Sequence, residues 1–169
     1  MKFPAALNFA LNARLHIRRT GWRNSFHLEL SEDGATHTYL VRQHEQEEVR
    51  VPWGVITEDD VLADDWEVIC DDPAKLTPEV LASSQDLNKG TTPWALAQLL
   101  DGKEVHMGNG PLFVKQIEIP EIGPAFVLFL PDGAKKLFRF APLDLHKQWR
   151  IASEDPSAPV VTPSTTATA

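Results

Sequence analysis

The sequence predicts an α+β fold made of two small modules, each a helix packed on an antiparallel β-sheet. Three observations predict it. Apolar residues recur at helical spacing at Phe3, Leu7, Ala10 and Leu11, and helical spacing returns over residues 94–100. Each helical stretch is followed by short segments of alternating apolar and polar residues, punctuated by turn residues. Each series then closes on an alternating segment that carries a tryptophan, Trp66 in the first half and Trp149 in the second, about 83 positions apart. One repeat of that length predicts a tandem duplication and not a solenoid.

In chain order, residues 3–13 read as the first helix. Leu15 to Arg19 alternates apolar and basic side chains, as a half-exposed strand does. Thr20-Gly21 interrupts, and Phe26, Leu28 and Leu30 resume the alternation. Glu32-Asp33-Gly34 is a hairpin turn signal. Strands are expected over 36–42 and 48–52. Thr57 with Asp60 three residues later predicts a capped helical turn. Residues 65–70 close the first module through Trp66, Val68 and Cys70, whose thiol is expected to be buried at the strand end.

Residues 71–92 hold Pro73, Pro78, Ser83, Ser84 and Gly90 with few apolar side chains, and read as a linker with one helical turn at 78–82. The second helix, 94–100, is capped by Thr91 or Thr92 and ended by Asp101-Gly102. Strands follow at 104–107, 112–119, 125–130, 137–140 and 148–152, with a turn at Pro131-Asp132-Gly133. Beyond residue 153 the chain is mostly Pro, Ser, Thr and Ala, almost without charge, and is expected to stay disordered, because it buries too little to offset its chain entropy. The domain boundaries are therefore expected at 1–72, 73–91, 92–152 and 153–169. Within the repeat, Leu62 is expected to match Leu145.

Composition excludes several function classes. The net charge of −8 argues against a binder of long nucleic acid, which needs a basic face. The one cysteine excludes an intramolecular disulfide. The histidines are scattered, with no Cys or His spacing typical of a metal site, so no metal or cofactor is expected. No stretch reaches the roughly 18–20 apolar residues of a membrane span. The apolar residues 1–13 precede Arg14, Arg18 and Arg19, the reverse of a secretory signal, so a cytoplasmic location is expected.

No nucleophile elbow, zinc-protease helix or phosphate-cradling glycine loop occurs, and no catalytic residue is assigned. Glu58, Asp59, Asp60, Asp64 and Asp65 form an acidic cluster, read as a solvated turn in preference to a metal-dependent hydrolase site. Trp22 follows Gly21 and precedes Arg23-Asn24, and Trp53 follows Pro52 at a strand end. A tryptophan beside glycine, arginine and asparagine offers a flat stacking face with donors nearby, which suits a nucleobase or ribose. Core filling is the equal alternative for these two, and the preferred role for Trp66 and Trp149. Arg18, Arg19 and Arg23 supply guanidinium forks that match phosphate.

The opening Ala10-Leu11, Ile17, Arg19, Gly21-Trp22 resembles that of the second type of Thoeris anti-defence sponge family. So does the closing series Pro52-Trp53, Thr57, Asp60, Val61-Leu62-Ala63-Asp64-Asp65-Trp66-Glu67-Val68. Thr57-Glu58 departs from the family's Ser-Gln, and Arg14 stands at its first-turn glycine. One extra residue lies between helix start and Gly-Trp. In the second half Gly102-Lys103 and Val105 keep the turn, while Met107 stands for the arginine, Gly110 for the tryptophan and Leu143 for the aspartate.

The resemblance implies a non-enzymatic phage protein. It would sequester a cyclic nucleotide immune messenger, of the glycocyclic ADP-ribose type, uncleaved in the infected host. Family members form homo-oligomers with pockets between subunits, and a fused double module would make one such contact internally. Carried over by position, Trp22 and Trp53 would stack on a base, Arg19 and Asn24 would meet phosphate or ribose, and Thr57 and Asp60 would take hydroxyls or a base edge. The competing reading is a phage structural or interaction protein that keeps the fold without the pocket.

Overall fold

The computed structural model describes residues 1–22, 26–30, 38–44, 47–53, 56–70 and 72–151. Asn24, the Glu32-Asp33-Gly34 turn and the tail lie outside them. The first module runs α1 (Phe3–Ala13), β1 (His16–Arg19), β2 (Phe26–Leu30), β3 (Thr38–His44), β4 (Glu47–Pro52), α2 (Glu58–Leu62) and β5 (Trp66–Ile69). Helix α3 (Pro78–Gln85) follows. The second module runs α4 (Thr92–Leu100), β6 (Val105–Met107), β7 (Phe113–Ile119), β8 (Gly123–Phe129), β9 (Lys135–Leu137), a 3-10 turn (Pro142–His146) and β10 (Trp149–Ile151). The class is α+β, with both sheets antiparallel.

The two sheets share one topology. Strand order is β4-β3-β2-β1-β5 in the first and β9-β8-β7-β6-β10 in the second, so each closing strand pairs with the strand after the helix. In α1, Phe3, Ala6, Leu7 and Ala10 are buried at helical spacing, and in α4 Ala95, Leu96 and Leu99 are fully buried. They meet Ile17, Leu28 and Trp66 of one sheet and Val105, Val114 and Trp149 of the other in one continuous core. Burying a leucine such as Leu96 contributes about 1.5–3 kcal/mol. Helix α1 also packs against α4. The Ile56 amide donates to the Phe140 carbonyl at 2.9 Å, so the segments entering α2 and the 3-10 turn form an antiparallel bridge between modules.

Both modules repeat small details. A left-handed residue follows each helix, Arg14 with φ 54° and Gly102 with φ 77°. Each sits three positions before a buried strand residue, Ile17 or Val105. Arg14 thus occupies a conformation that favours glycine. The amide of Trp66 donates to the Met1 carbonyl at 3.0 Å, and that of Trp149 to the Gly90 carbonyl at 2.9 Å. Gly90 has φ 87°, and a Cβ there would stand 3.2 Å from the Gln148 side chain, so any other residue would be strained.

Several expectations need correction. Residues 78–85 form a full helix lying on α1, where the Asn8 side-chain amide donates to the Ser84 carbonyl at 2.7 Å. A polar contact, not an apolar stripe, holds it. The strand expected at 137–140 is β9 at Lys135–Leu137, because Phe140 leaves the sheet to meet Ile56. Cys70 is only half-buried, its thiol donating to the Asp72 carbonyl. Asp144, not Leu143, takes the place of Asp60. Its carboxylate accepts the Ala141 amide at 2.8 Å, as Asp60 accepts that of Thr57 at 3.2 Å. Leu145 then matches buried Val61 and not exposed Leu62, because the second module has one residue fewer before its tryptophan.

Candidate functional site

Trp66 is the hub of the first module. It is 1% exposed, and its indole Nε1 donates to the Asp60 carbonyl at 2.9 Å. Phe3 lies 4.9 Å from it and Trp22 5.5 Å, centroid to centroid, while Trp53 meets Phe3 edge-on at 6.3 Å. Trp22, Trp66, Phe3 and Trp53 therefore form a continuous aromatic chain. The two end tryptophans, unlike Trp66, are half-buried. They are neither full core residues nor free surface residues: each has a packed side and an accessible side.

Arg19 stands across from Trp66 in the β1–β5 register. Its guanidinium is hydrogen-bonded to the Asp65 carboxylate, and the Thr20 amide donates to the Asp65 carbonyl at 2.9 Å. Thr57 and Asp60 cap α2 reciprocally. The Asp60 amide donates to Thr57 Oγ1 at 3.2 Å, while Asp60 Oδ2 accepts from the Thr57 hydroxyl at 2.7 Å and from its amide. Arg19, Trp22 and Asp60 thus adjoin Trp66, while Trp53 is joined to it through Phe3 and Thr57 through Asp60. Thr57 and Asp60 have a structural role in capping α2. Sequence reasoning missed Asp65 as the partner of Arg19 and Phe3 as the link between tryptophans. The β1–β5 pairing that reveals the first joins residues 46 apart.

The acidic cluster is divided by these contacts. Asp60 serves the cap and Asp65 serves Arg19, so the four aspartates do not converge on a shared centre. The Arg19 hydrogen bond holds the Asp65 carboxyl below the usual carboxylate range. The folded form therefore binds this proton less tightly than the unfolded chain. The pair stabilises the fold above the ordinary carboxylate value and loses that contribution as pH falls through the lowered one. Removing the guanidinium, in Arg19→Met, is expected to move the Asp65 titration upward in carboxyl-detected NMR. An unchanged midpoint would mean that Arg19 is not its partner in solution.

The same place in the second module is filled differently. Met107 pairs with Trp149 as Arg19 does with Trp66, so the expected loss of the arginine stands. The Gly108 amide donates to the Gln148 carbonyl at 2.7 Å, repeating the Thr20–Asp65 bond. Arg150, however, reaches back over the following loop and donates to the carbonyls of Gly108 and Gly110, both at 3.1 Å. Trp149 keeps its hub position against Phe140 at 5.6 Å, but its Nε1 donates to Thr92 Oγ1 at 2.9 Å. Thr92 in turn donates to the Asp144 carbonyl at 2.6 Å. Burial, with the Arg150 charge beside it, pushes the His106 imidazole down.

The scattered histidines also need correction. His16 and His27 stack across β1 and β2 with centroids 4.4 Å apart, and Glu29 lies beside them. Strand pairing, invisible in the spacing, brings them together.

No helix among the described residues is long and apolar enough to cross a membrane. No curated protein and no solved structure matches the chain. Residues 1–69 match the model of the Tad2-like family, described as the Thoeris anti-defense 2-like domain. That span runs from α1 through β5 and includes the Arg19, Trp22, Trp53 and Trp66 cluster. The family resemblance carried by Gly21-Trp22 and Asp64-Asp65-Trp66-Glu67-Val68 therefore holds for the first module, whose residues 1–69 are Tad2-like.

Proposed function

We propose that this chain is a phage anti-defence protein that sequesters a cyclic nucleotide messenger of the glycocyclic ADP-ribose type without cleaving it. The observation that carries the reading is the aromatic chain Trp22–Trp66–Phe3–Trp53 with Arg19 at its side, inside the Tad2-like module. Half-buried indoles supply stacking faces for a base, and a guanidinium supplies a fork for phosphate. A sponge needs affinity and no reacting group. The messenger would exchange with Asp65 for the Arg19 guanidinium.

The second module is read as a built-in partner and not as a second binding site. Arg150 occupies its loop, and Met107 and Gly110 replace the arginine and tryptophan. One messenger per chain is therefore expected, in an assembly that needs fewer chains because one module contact is internal. Incubating purified protein with a cyclic ADP-ribose derivative, removing unbound ligand and heat-denaturing the complex tests this. Intact ligand should return at one equivalent per chain. A hydrolysed product would point to an enzyme, and two equivalents would restore a site to the second module.

A second reading, an interaction protein without a pocket, is favoured by exposed Ile122, Leu137 and Leu143 on the second module. Native mass spectrometry showing no cyclic nucleotide bound, with a protein partner recovered instead, would select it.

A further inference from the structure

We propose that His16, His27 and Glu29 form a binding site for a late first-row divalent cation of the zinc class. The placement follows from the sheet. Ile17 pairs with Leu28, and both are buried toward the core. Side chains alternate across a strand, so His16 on β1 and His27 and Glu29 on β2 share the opposite face. Arg19 is an odd number of residues from His16, so the site lies on the other side of the sheet from Arg19 and the Trp66 cluster. It stands independently of the nucleotide reading.

One ligand atom from each of the three side chains lies within 4.8 Å of the other two, and all three residues are half-buried. Tetrahedral zinc ligands at about 2.0–2.2 Å from the ion stand about 3.4 Å apart, so the side chains need to close by roughly an ångström. Parallel rings, here 12° apart, cannot both aim a lone pair at one ion. Binding therefore turns at least one imidazole about its Cβ–Cγ bond, a soft torsion.

Glu29 is already oriented. Arg50 Nε and Nη2 both contact Glu29 Oε2, each at 3.3 Å, which assigns Oε1 to the ion. Outer contacts of this kind orient a ligating carboxylate. Two imidazoles and one carboxylate favour zinc, nickel or copper over magnesium or calcium, which prefer all-oxygen shells. Three protein ligands leave a fourth position for water or a small anion.

The test uses the full chain without an affinity tag, treated with chelator and then titrated with zinc chloride by calorimetry. Visible ligand-field bands on Co(II) addition serve as a second readout. One ion per chain is expected, with a rise in melting temperature. His16→Gln and His27→Gln should each weaken binding by more than about tenfold, since even outer-shell partners are worth about 10–100-fold. Glu29→Gln should weaken it too and change the Co(II) bands. Should His27→Gln fail to fold, His16→Gln decides the matter, since His16 is on the other strand. Absence of binding to the folded wild-type chain, or binding undiminished in folded His16→Gln, overturns the site.

Discussion

Replacing Trp66 by alanine is expected to cost about 3–5 kcal/mol. The indole is 1% exposed, touches both Phe3 and Trp22, and donates to the Asp60 carbonyl. Truncation opens a cavity and removes the hydrogen bond to the Asp60 carbonyl of α2. Domains are stable by only about 5–15 kcal/mol, so the variant should be marginal. Urea denaturation followed by near-ultraviolet circular dichroism measures it. Because the two modules share one core, a single transition is expected to shift for the whole chain. Trp66→Phe should lose less, since it keeps a ring against Phe3 and forfeits chiefly the hydrogen bond. A Trp66→Ala chain as stable as the parent would show that the aromatic chain does not organise the module.

Arg19→Met is expected to weaken messenger binding by about 10- to 150-fold while leaving the fold in place. The second module supplies the precedent, since Met107 occupies the equivalent strand position opposite Trp149. The ion pair with Asp65 is part-exposed, and ion pairs open to solvent contribute little to stability. A charge-assisted bond from the guanidinium to a phosphate is worth about 1.5–3 kcal/mol, on the order of 10- to 150-fold in affinity. Calorimetry with a cyclic ADP-ribose derivative reads the affinity, and thermal melting reads the fold. Unchanged affinity in a folded variant would remove Arg19 from the site. Trp22→Ala is a less clean test, because Trp22 also packs on Trp66 and its loss mixes stacking with stability.

Some of the site was legible from local rules. Thr57 and Asp60 announced their cap by type and spacing, and the structure returns it with Asp60 as N3. The two motifs of the first module bracketed Arg19, Trp22 and Trp53. Their convergence on Trp66 was not legible, because it depends on β1 pairing with β5 across more than forty residues. Reading Leu143 as the lost aspartate failed for a related reason. Counting back from Trp149 assumes equal loop lengths, whereas Asp144 is recognised by the amide that it caps. Arg150 read as an ordinary strand residue. Only the loop at Gly108 and Gly110 gives it two carbonyls to hold.

What the sequence by itself determined was the local structure: helices from apolar spacing, strands from alternation, caps from Thr and Asp, and a repeat from two tryptophans. These are consequences of short-range geometry, which a run of ten residues already contains. Tertiary structure alone decided that two helix-and-sheet modules share one core and meet at Ile56 and Phe140. It also decided that α3 rests on α1 through Asn8, and that two histidines on neighbouring strands stack. Each of those contacts joins residues far apart in the chain or on different strands. Their energy comes from pairing and burial that exist only once the chain has closed on itself.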